Sequence, residues 1–245
     1  MCASVFIFQL ALAIIAFPFY ILHFLGLWNP ICKRLFPQFM IKFAVSYNRN
    51  MDPTKKDLFS NLCDFQSSTN GLKLLEIGCG TGVNFKFYPR GSRVTCVDLN
   101  PNFEKHLLKS QEENDHLVFE RFLVASADNM NQVPDGSMDV VVCTLLACSV
   151  SDTPKVLEEV CRVLRPGGAF YFLEHVASPD DSSYTSFVQK VLNPTWKLLI
   201  DGCHLTRTTW KDLEKAKFSK LNLRHMQGPN LFMPLKPHIV GYATK

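Results

Sequence analysis

Gly78, Gly80 and Gly82 stand at alternate positions directly behind the apolar run Leu74-Leu75-Glu76-Ile77, and Glu76 opens the pattern acid-x-Gly-x-Gly-x-Gly. A turn without Cβ atoms, free to take positive φ, lets a nucleotide-like cofactor lie against backbone at the end of a first parallel strand. The dinucleotide pattern G-x-G-x-x-G would need a small residue at 83, where Val83 stands. Asp98 follows 22 residues after Glu76, inside Val97-Asp98-Leu99-Asn100, where a carboxylate at the end of a second strand accepts both hydroxyls of a ribose. Cys79, inside the loop, reads as a small filler and not as a nucleophile. Asp139 reads as an acid that caps or orders a strand.

The elements that must position these residues alternate in type. Residues 72–78, 92–98, 117–124, 138–146 and 169–176 are short β-type runs. Residues 101–114 and 153–164 carry helical periodicity, the second starting at Asp152 or Thr153 as N-cap with Pro154 in its first turn. Strand and helix repeated in this way predict an α/β fold with a doubly wound parallel sheet. A further helix at 209–216 offers a capping box from Thr209 to Asp212, and 218–226 and 238–245 read as closing strands. Gly167 and Gly168 read as turn residues.

Composition bounds the class. The chain has 245 residues, 47% hydrophobic and 20% charged, enough for one well-buried domain with an appendage. Its net charge of +4 is spread along the sequence, so no nucleic-acid partner is expected. Nine cysteines without a CxxC pair or a Cys/His spacing of the zinc type point to free thiols in a reducing compartment, and no metal is expected. There is no N-x-S/T sequon, since Asn193-Pro194-Thr195 carries the forbidden proline, and the globular part is expected on the cytosolic side.

Residues 1–28 reach almost to Lys33 without an Asp, Glu, Lys or Arg. The stretch reads as a hydrophobic membrane anchor; it is longer than a signal-peptide core and lacks the basic start of one. Pro18 interrupts a straight span, so the segment crosses, enters one leaflet and turns back, or lies shallowly. Lys33, Arg34, Lys42, Arg49, Lys55 and Lys56 follow, and their charge favours keeping the downstream chain cytoplasmic. Residues 29–70 are read as an amphipathic, basic connecting segment and 71–245 as the main domain.

Glu76 to Gly82 resembles motif I of class I S-adenosylmethionine-dependent methyltransferases. Asp98 then matches the ribose-binding acid, Asp128 in 125–141 the adenine-contacting acid, and Glu158 to His175, with its Leu-Arg-Pro-Gly-Gly, the turn and strand after motif III. The resemblance implies a Rossmann-like fold, S-adenosyl-L-methionine as cofactor, and a cofactor site of Glu76, Gly78, Cys79, Gly80, Gly82, Asp98, Leu99, Asn100, Ala127, Asp128, Thr144 and Leu145. With the apolar leader, Asn29 to Met40, Tyr47 to Leu62 and the ending Lys236 to Lys245 included, the whole chain is similar to membrane-associated methyltransferase-like proteins of endoplasmic reticulum and lipid droplets, the alkyl thiol S-methyltransferases.

That resemblance implies a small lipophilic thiol as acceptor, hydrogen sulfide-like and drug thiols among them, a membrane or lipid-droplet surface as partner, and residence in the endoplasmic reticulum membrane and lipid droplet with the catalytic domain facing the cytosol. A lipid or quinone-type C- or O-methyltransferase is the alternative, since the core is also similar to those enzymes, and a non-catalytic membrane scaffold is a third reading. The acceptor is expected over the ends of the fourth and fifth strands, near Leu145 to Ser149, Tyr47, Glu174 and His175. A thiol is mostly protonated at neutral pH while its thiolate is the nucleophile, so a base is useful: His175 is the candidate, with Glu174 to orient it.

Overall fold

A computed structural model describes residues 2–245. The apolar leader forms two helices, α1 (Cys2–Ile15) and α2 (Phe17–Phe24), bent by 74° at a break before Phe17. Pro18 sits in the first turn of α2, where a residue without an N–H is tolerated, so the proline starts a new helix. Among the described residues no single helix is long and apolar enough to cross a membrane, although the bent pair together has the length and composition.

The leader is docked on the domain along one side. In α1, Phe8 meets Phe187 edge-on at 6.0 Å and Gln9 Nε2 donates to the Lys190 carbonyl at 2.8 Å. Trp28 Nε1 donates to the Leu198 carbonyl at 2.7 Å. The other side is bare, with Ile15 77% and Phe24 88% exposed.

The long helix α3 (Trp28–Leu58) then runs across the domain. Five parallel strands follow in sequence: β1 (Lys73–Ile77), β2 (Arg93–Asp98), β3 (Val118–Val124), β4 (Met138–Thr144) and β5 (Leu164–His175). Helix α4 (Glu104–Glu112) lies between β2 and β3, and α5 (Thr153–Val163) between β4 and β5. Helices α6 (Tyr184–Leu199) and α7 (Thr209–Lys215) lead to β6 (Lys220–Gln227) and β7 (Pro237–Thr244). The sheet order is β3-β2-β1-β4-β5-β7-β6, with β7 antiparallel to both neighbours.

Alternation along the strands feeds two cores. Leu74, Val94, Val140, Val142 and Tyr171 face Tyr47, Met51, Leu58 and Leu62, while Leu75, Ile77, Val141 and Phe170 face Val156, Leu157, Val160 and Leu213. The connection from β1 to β2 carries only a 3₁₀ turn at Phe85–Phe87, and α3 packs where a crossover helix would lie. The segment between leader and domain is therefore part of the fold. Lys55, one of its basic residues, is only 2% exposed.

Two local expectations change. Gly167 and Gly168 lie inside β5, not in a turn before it, because the strand begins at Leu164 and absorbs them as a bulge. The register moves there from Met138↔Leu164 to Val140↔Ala169, and Gly167 has φ +73°. The capping box at Thr209 does not form: the N-cap is Thr208, without a side-chain capping bond, so Asp212 falls one residue beyond the N3 position the motif needs. Asp152 does cap α5, accepting from Lys155 N at 3.2 Å. Asp139 orders β4 as expected, accepting from Lys73 N at 2.9 Å and from Arg165 Nε at 2.6 Å.

Candidate functional site

The glycine turn hangs from the end of β1 by Gly78 N, which donates to the Val97 carbonyl at 2.8 Å. Gly78, Gly80 and Gly82 have φ of +64°, +52° and +75°. A Cβ on Gly78 would lie 2.8–2.9 Å from three carbons of Leu146, whereas one on Gly80 would find only Phe103, at 3.8 Å. Gly78 is thus bare because protein packs on it, and Gly80 because it borders open space.

Asp98 joins the two loops. Its Oδ2 accepts from Gly80 N at 3.0 Å and its Oδ1 from Asn100 N at 2.9 Å. Each oxygen keeps a further lone pair, and Asp98 lines the cavity in front of the turn. Beneath it, buried Glu76 accepts from Asn84 Nδ2 at 2.7 Å and Tyr88 OH at 2.8 Å. Burial pushes its carboxyl up to about 7, against the pull of Tyr88, Asn84 and Lys55. Burial likewise brings the Lys55 ammonium down to about 8. Glu76 supports the turn from below and does not reach the cavity.

The turn after β4 is built differently. Leu145 takes φ +56°, unusual for a branched side chain, and Leu145 N donates to the Leu173 carbonyl at 3.0 Å. The Glu174 carboxylate fixes this turn, accepting from Leu146 N and Ala147 N at 3.1 Å each and from Cys143 Sγ at 3.2 Å. That corrects the expectation that Glu174 orients His175: the two are neighbours on β5, so their side chains leave opposite faces, and every oxygen of Glu174 is committed to the 145–147 turn.

The cavity measures about 520 Å³, within the range of small-molecule sites. Of the residues expected at the cofactor, Gly78, Cys79, Gly80, Asp98, Leu99, Asn100, Ala127, Thr144 and Leu145 line it. Glu76, Gly82 and Asp128 do not; Asp128 stands beside Ala127 and accepts from Ser151 Oγ at 3.0 Å. One wall is aromatic and comes from α3, through Phe36, Phe39, Phe43 and Tyr47. That wall is fastened: Asn100 Nδ2 donates to the Lys33 carbonyl at 2.8 Å, and Tyr47 OH pairs with His238 Nε2 at 3.1 Å.

A second polar region of the cavity is sulfur-rich. Cys148, His175 and Cys203 are all buried and all line the cavity, and one donor atom of each lies within 4.8 Å of the other two. His175 Nε2 is 3.1 Å from Cys203 Sγ, and Trp196 Nε1 donates to the same sulfur at 3.3 Å. Sequence reasoning placed His175 and the 145–149 turn here but missed Cys203 and Trp196, which arrive from the end of α6 with no local spacing to betray them. The aromatic wall was legible in part, since Phe36, Phe39, Phe43 and Tyr47 recur at helical spacing.

A methyltransferase domain profile matches residues 75–172. The chain is 59% identical to human thiol S-methyltransferase TMT1A over 242 residues, 99% of each chain, and 52% identical to rat thiol S-methyltransferase TMT1B over 237 residues, 97% of each. Among solved structures, a possible histamine N-methyltransferase of Thermotoga maritima superposes with TM-score 0.58 at 18% identity, covering 86% of this chain and 98% of that one. An S-adenosylmethionine-dependent methyltransferase from Aquifex aeolicus gives 0.55 at 16% identity, covering 85% and 97%. These two show the class I Rossmann-like fold, and the near full-length identity shows the rest: the chain belongs to the family of the thiol S-methyltransferases TMT1A and TMT1B.

Proposed function

We propose that this protein transfers a methyl group from S-adenosyl-L-methionine to the sulfur of a small lipophilic thiol, working at a membrane or lipid-droplet surface. The observation that carries the reading is a single cavity that joins the Gly80–Asp98 cradle to the Cys148–His175–Cys203 end along an apolar wall. The cradle fits the cofactor: a Cβ at Gly80 would project into open space, and Asp98 presents a spare lone pair on each oxygen. When bound, the cofactor supplies a methyl group already activated on a cationic sulfonium.

Asp98 accepts the ribose hydroxyls, Leu99, Asn100 and Ala127 flank the base, with Asp128 behind Ala127 holding Ser151, and Cys79, Thr144 and Leu145 bound the methionyl side. Glu76 and Gly82 hold the turn in shape. The acceptor's thiol is received at His175, the catalytic residue of this reading, whose imidazole takes the proton, and the resulting thiolate attacks the methyl carbon. The new S–C bond forms as the old one breaks, its electron pair going to the departing sulfur. The aromatic side chains of α3 select an apolar body and keep water out, so that alignment supplies most of the acceleration.

The bare side of α1 and α2 supports membrane association. A bent pair that enters one leaflet suits a droplet, whose surface is a monolayer, as well as the cytosolic face of the endoplasmic reticulum. The deciding experiment is turnover with labelled cofactor against alkyl thiols, quinols and lipids. Methylation of thiols alone is the expected result; turnover only with quinols or lipids moves the chain to C- or O-methylation, and no turnover with any leaves a cofactor-binding scaffold.

A further inference from the structure

We propose that Cys148, His175 and Cys203 hold a zinc ion whose open coordination position faces the cavity and receives the acceptor's sulfur. The proposal rests on the thiol reading for the ion's role, though the site itself stands on geometry. Among the described residues these three form the one cluster of metal-type donors, with ligand atoms within 4.8 Å of one another. They come from three elements, the turn after β4, the end of β5 and the turn after α6, and meet at one end of the cavity.

The donor set is informative. Thiolate and imidazole together suit zinc in preference to magnesium or calcium, and three protein ligands with a vacant position is the arrangement of catalytic zinc. Two thiolates balance the charge of a divalent cation, so the site is neutral where burial makes a net charge costly. Surroundings of the outer-sphere kind are present as well: Trp196 Nε1 donates to Cys203 Sγ at 3.3 Å, and Ser149 Oγ lies 3.6 Å from Cys148 Sγ. Cys79, Cys96 and Cys143 are equally buried but have no such constellation. The sequence expectation of no metal followed from spacing alone, and positions 148, 175 and 203 are too far apart to show it.

The chemistry balances. With His175 committed to the ion, the cation takes over the part of the base: an acceptor R–SH coordinates through sulfur and its proton leaves to water, because a cation stabilises the bound thiolate. The thiolate attacks the methyl carbon, the sulfonium C–S bond breaks with its pair on the leaving sulfur, and the neutral thioether, a weaker ligand, departs.

The test uses the full chain, purified in detergent from zinc-supplemented cells, with metal content measured by mass spectrometry. About one zinc per chain is expected, falling below roughly a tenth in Cys148→Ser and Cys203→Ser but retained in Cys63→Ser, a control at an exposed thiol. Cobalt(II) in its place should show sulfur-to-metal charge-transfer bands that move when an alkyl thiol is added. Wild-type chain that binds S-adenosylmethionine and methylates thiols, yet holds no more zinc than the two serine variants, overturns the proposal and leaves the thiol reading standing. Zinc bound at Cys148 and Cys203, without thiol turnover and with a cobalt spectrum indifferent to thiols, supports the site and defeats the thiol reading instead.

Discussion

Replacing Asp98 by alanine removes the carboxylate that joins the glycine turn to the loop after β2. Two backbone donors, Gly80 N and Asn100 N, already occupy one lone pair on each oxygen, so the carboxylate has capacity left for two ligand hydroxyls. Hydrogen bonds to a charged acceptor contribute about 1.5–3 kcal/mol each, and losing two costs at least about 3 kcal/mol, more than a hundredfold in affinity. Loosening of the Gly80 loop adds to this. Calorimetry with S-adenosylmethionine and with S-adenosylhomocysteine separates ribose recognition from attraction to the sulfonium charge, because both ligands carry the ribose and only one the charge. Both affinities should fall by the same factor while circular dichroism stays that of wild type. A folded variant with unchanged affinity refutes the assignment, and loss confined to the sulfonium ligand shows that Asp98 acts through charge.

Three further outcomes are expected. Gly80→Ala should cost only the about 1–2 kcal/mol of a left-handed alanine, since its Cβ meets nothing nearer than 3.8 Å, yet weaken cofactor binding at least about tenfold; Gly78→Ala should lower the melting temperature further because it also displaces Leu146, and a Gly80→Ala protein with normal affinity would contradict the cradle. The Glu76 carboxyl, raised from 4.5 to about 7, keeps a proton in the folded chain that the unfolded chain loses, so stability should fall as pH rises from about 4.5 to 7, by roughly 3 kcal/mol in all; urea midpoints of wild type and Glu76→Gln across that window check it, and equal slopes in the two proteins would rule it out. Phe17→Asp with Phe24→Asp should abolish flotation with liposomes, each aspartate adding about 3 kcal/mol against insertion, and undiminished flotation would place the membrane contact elsewhere.

The parallel sheet was legible because each strand is an apolar run with its own helical or turn-rich successor, and the glycine turn because its chemistry is local: Gly78 to Gly82 and Asp98 declare themselves within one strand-turn-strand unit. The bulge at Gly167 was not, since Pro166-Gly167-Gly168 has the composition of a turn and is drawn into the sheet only by the β4 pairing of Leu164 and Ala169 on either side and by backbone bonds to Lys245. Lys55 shows the same limit from the other side. A lysine in a basic stretch reads as solvated, and burial follows only from where α3 comes to rest. The Glu174–His175 pair looked like acid and base because the two are adjacent, which on a strand is the arrangement that separates them. Cys203 could be assigned to the cavity only by tertiary structure.

Helix α3 has a consequence for how such a protein can be dissected and how it diversifies. A fragment beginning at Leu72 would keep every cofactor motif but lose the side of the cavity made by Phe36, Phe39, Phe43 and Tyr47, together with the tie from Lys33 to Asn100. Such a fragment is not a miniature of the whole, and its acceptor preferences would not be those of the full chain. The segment that reads as a mere connector also shapes the pocket, so a change that repositions it changes which acceptors the site admits.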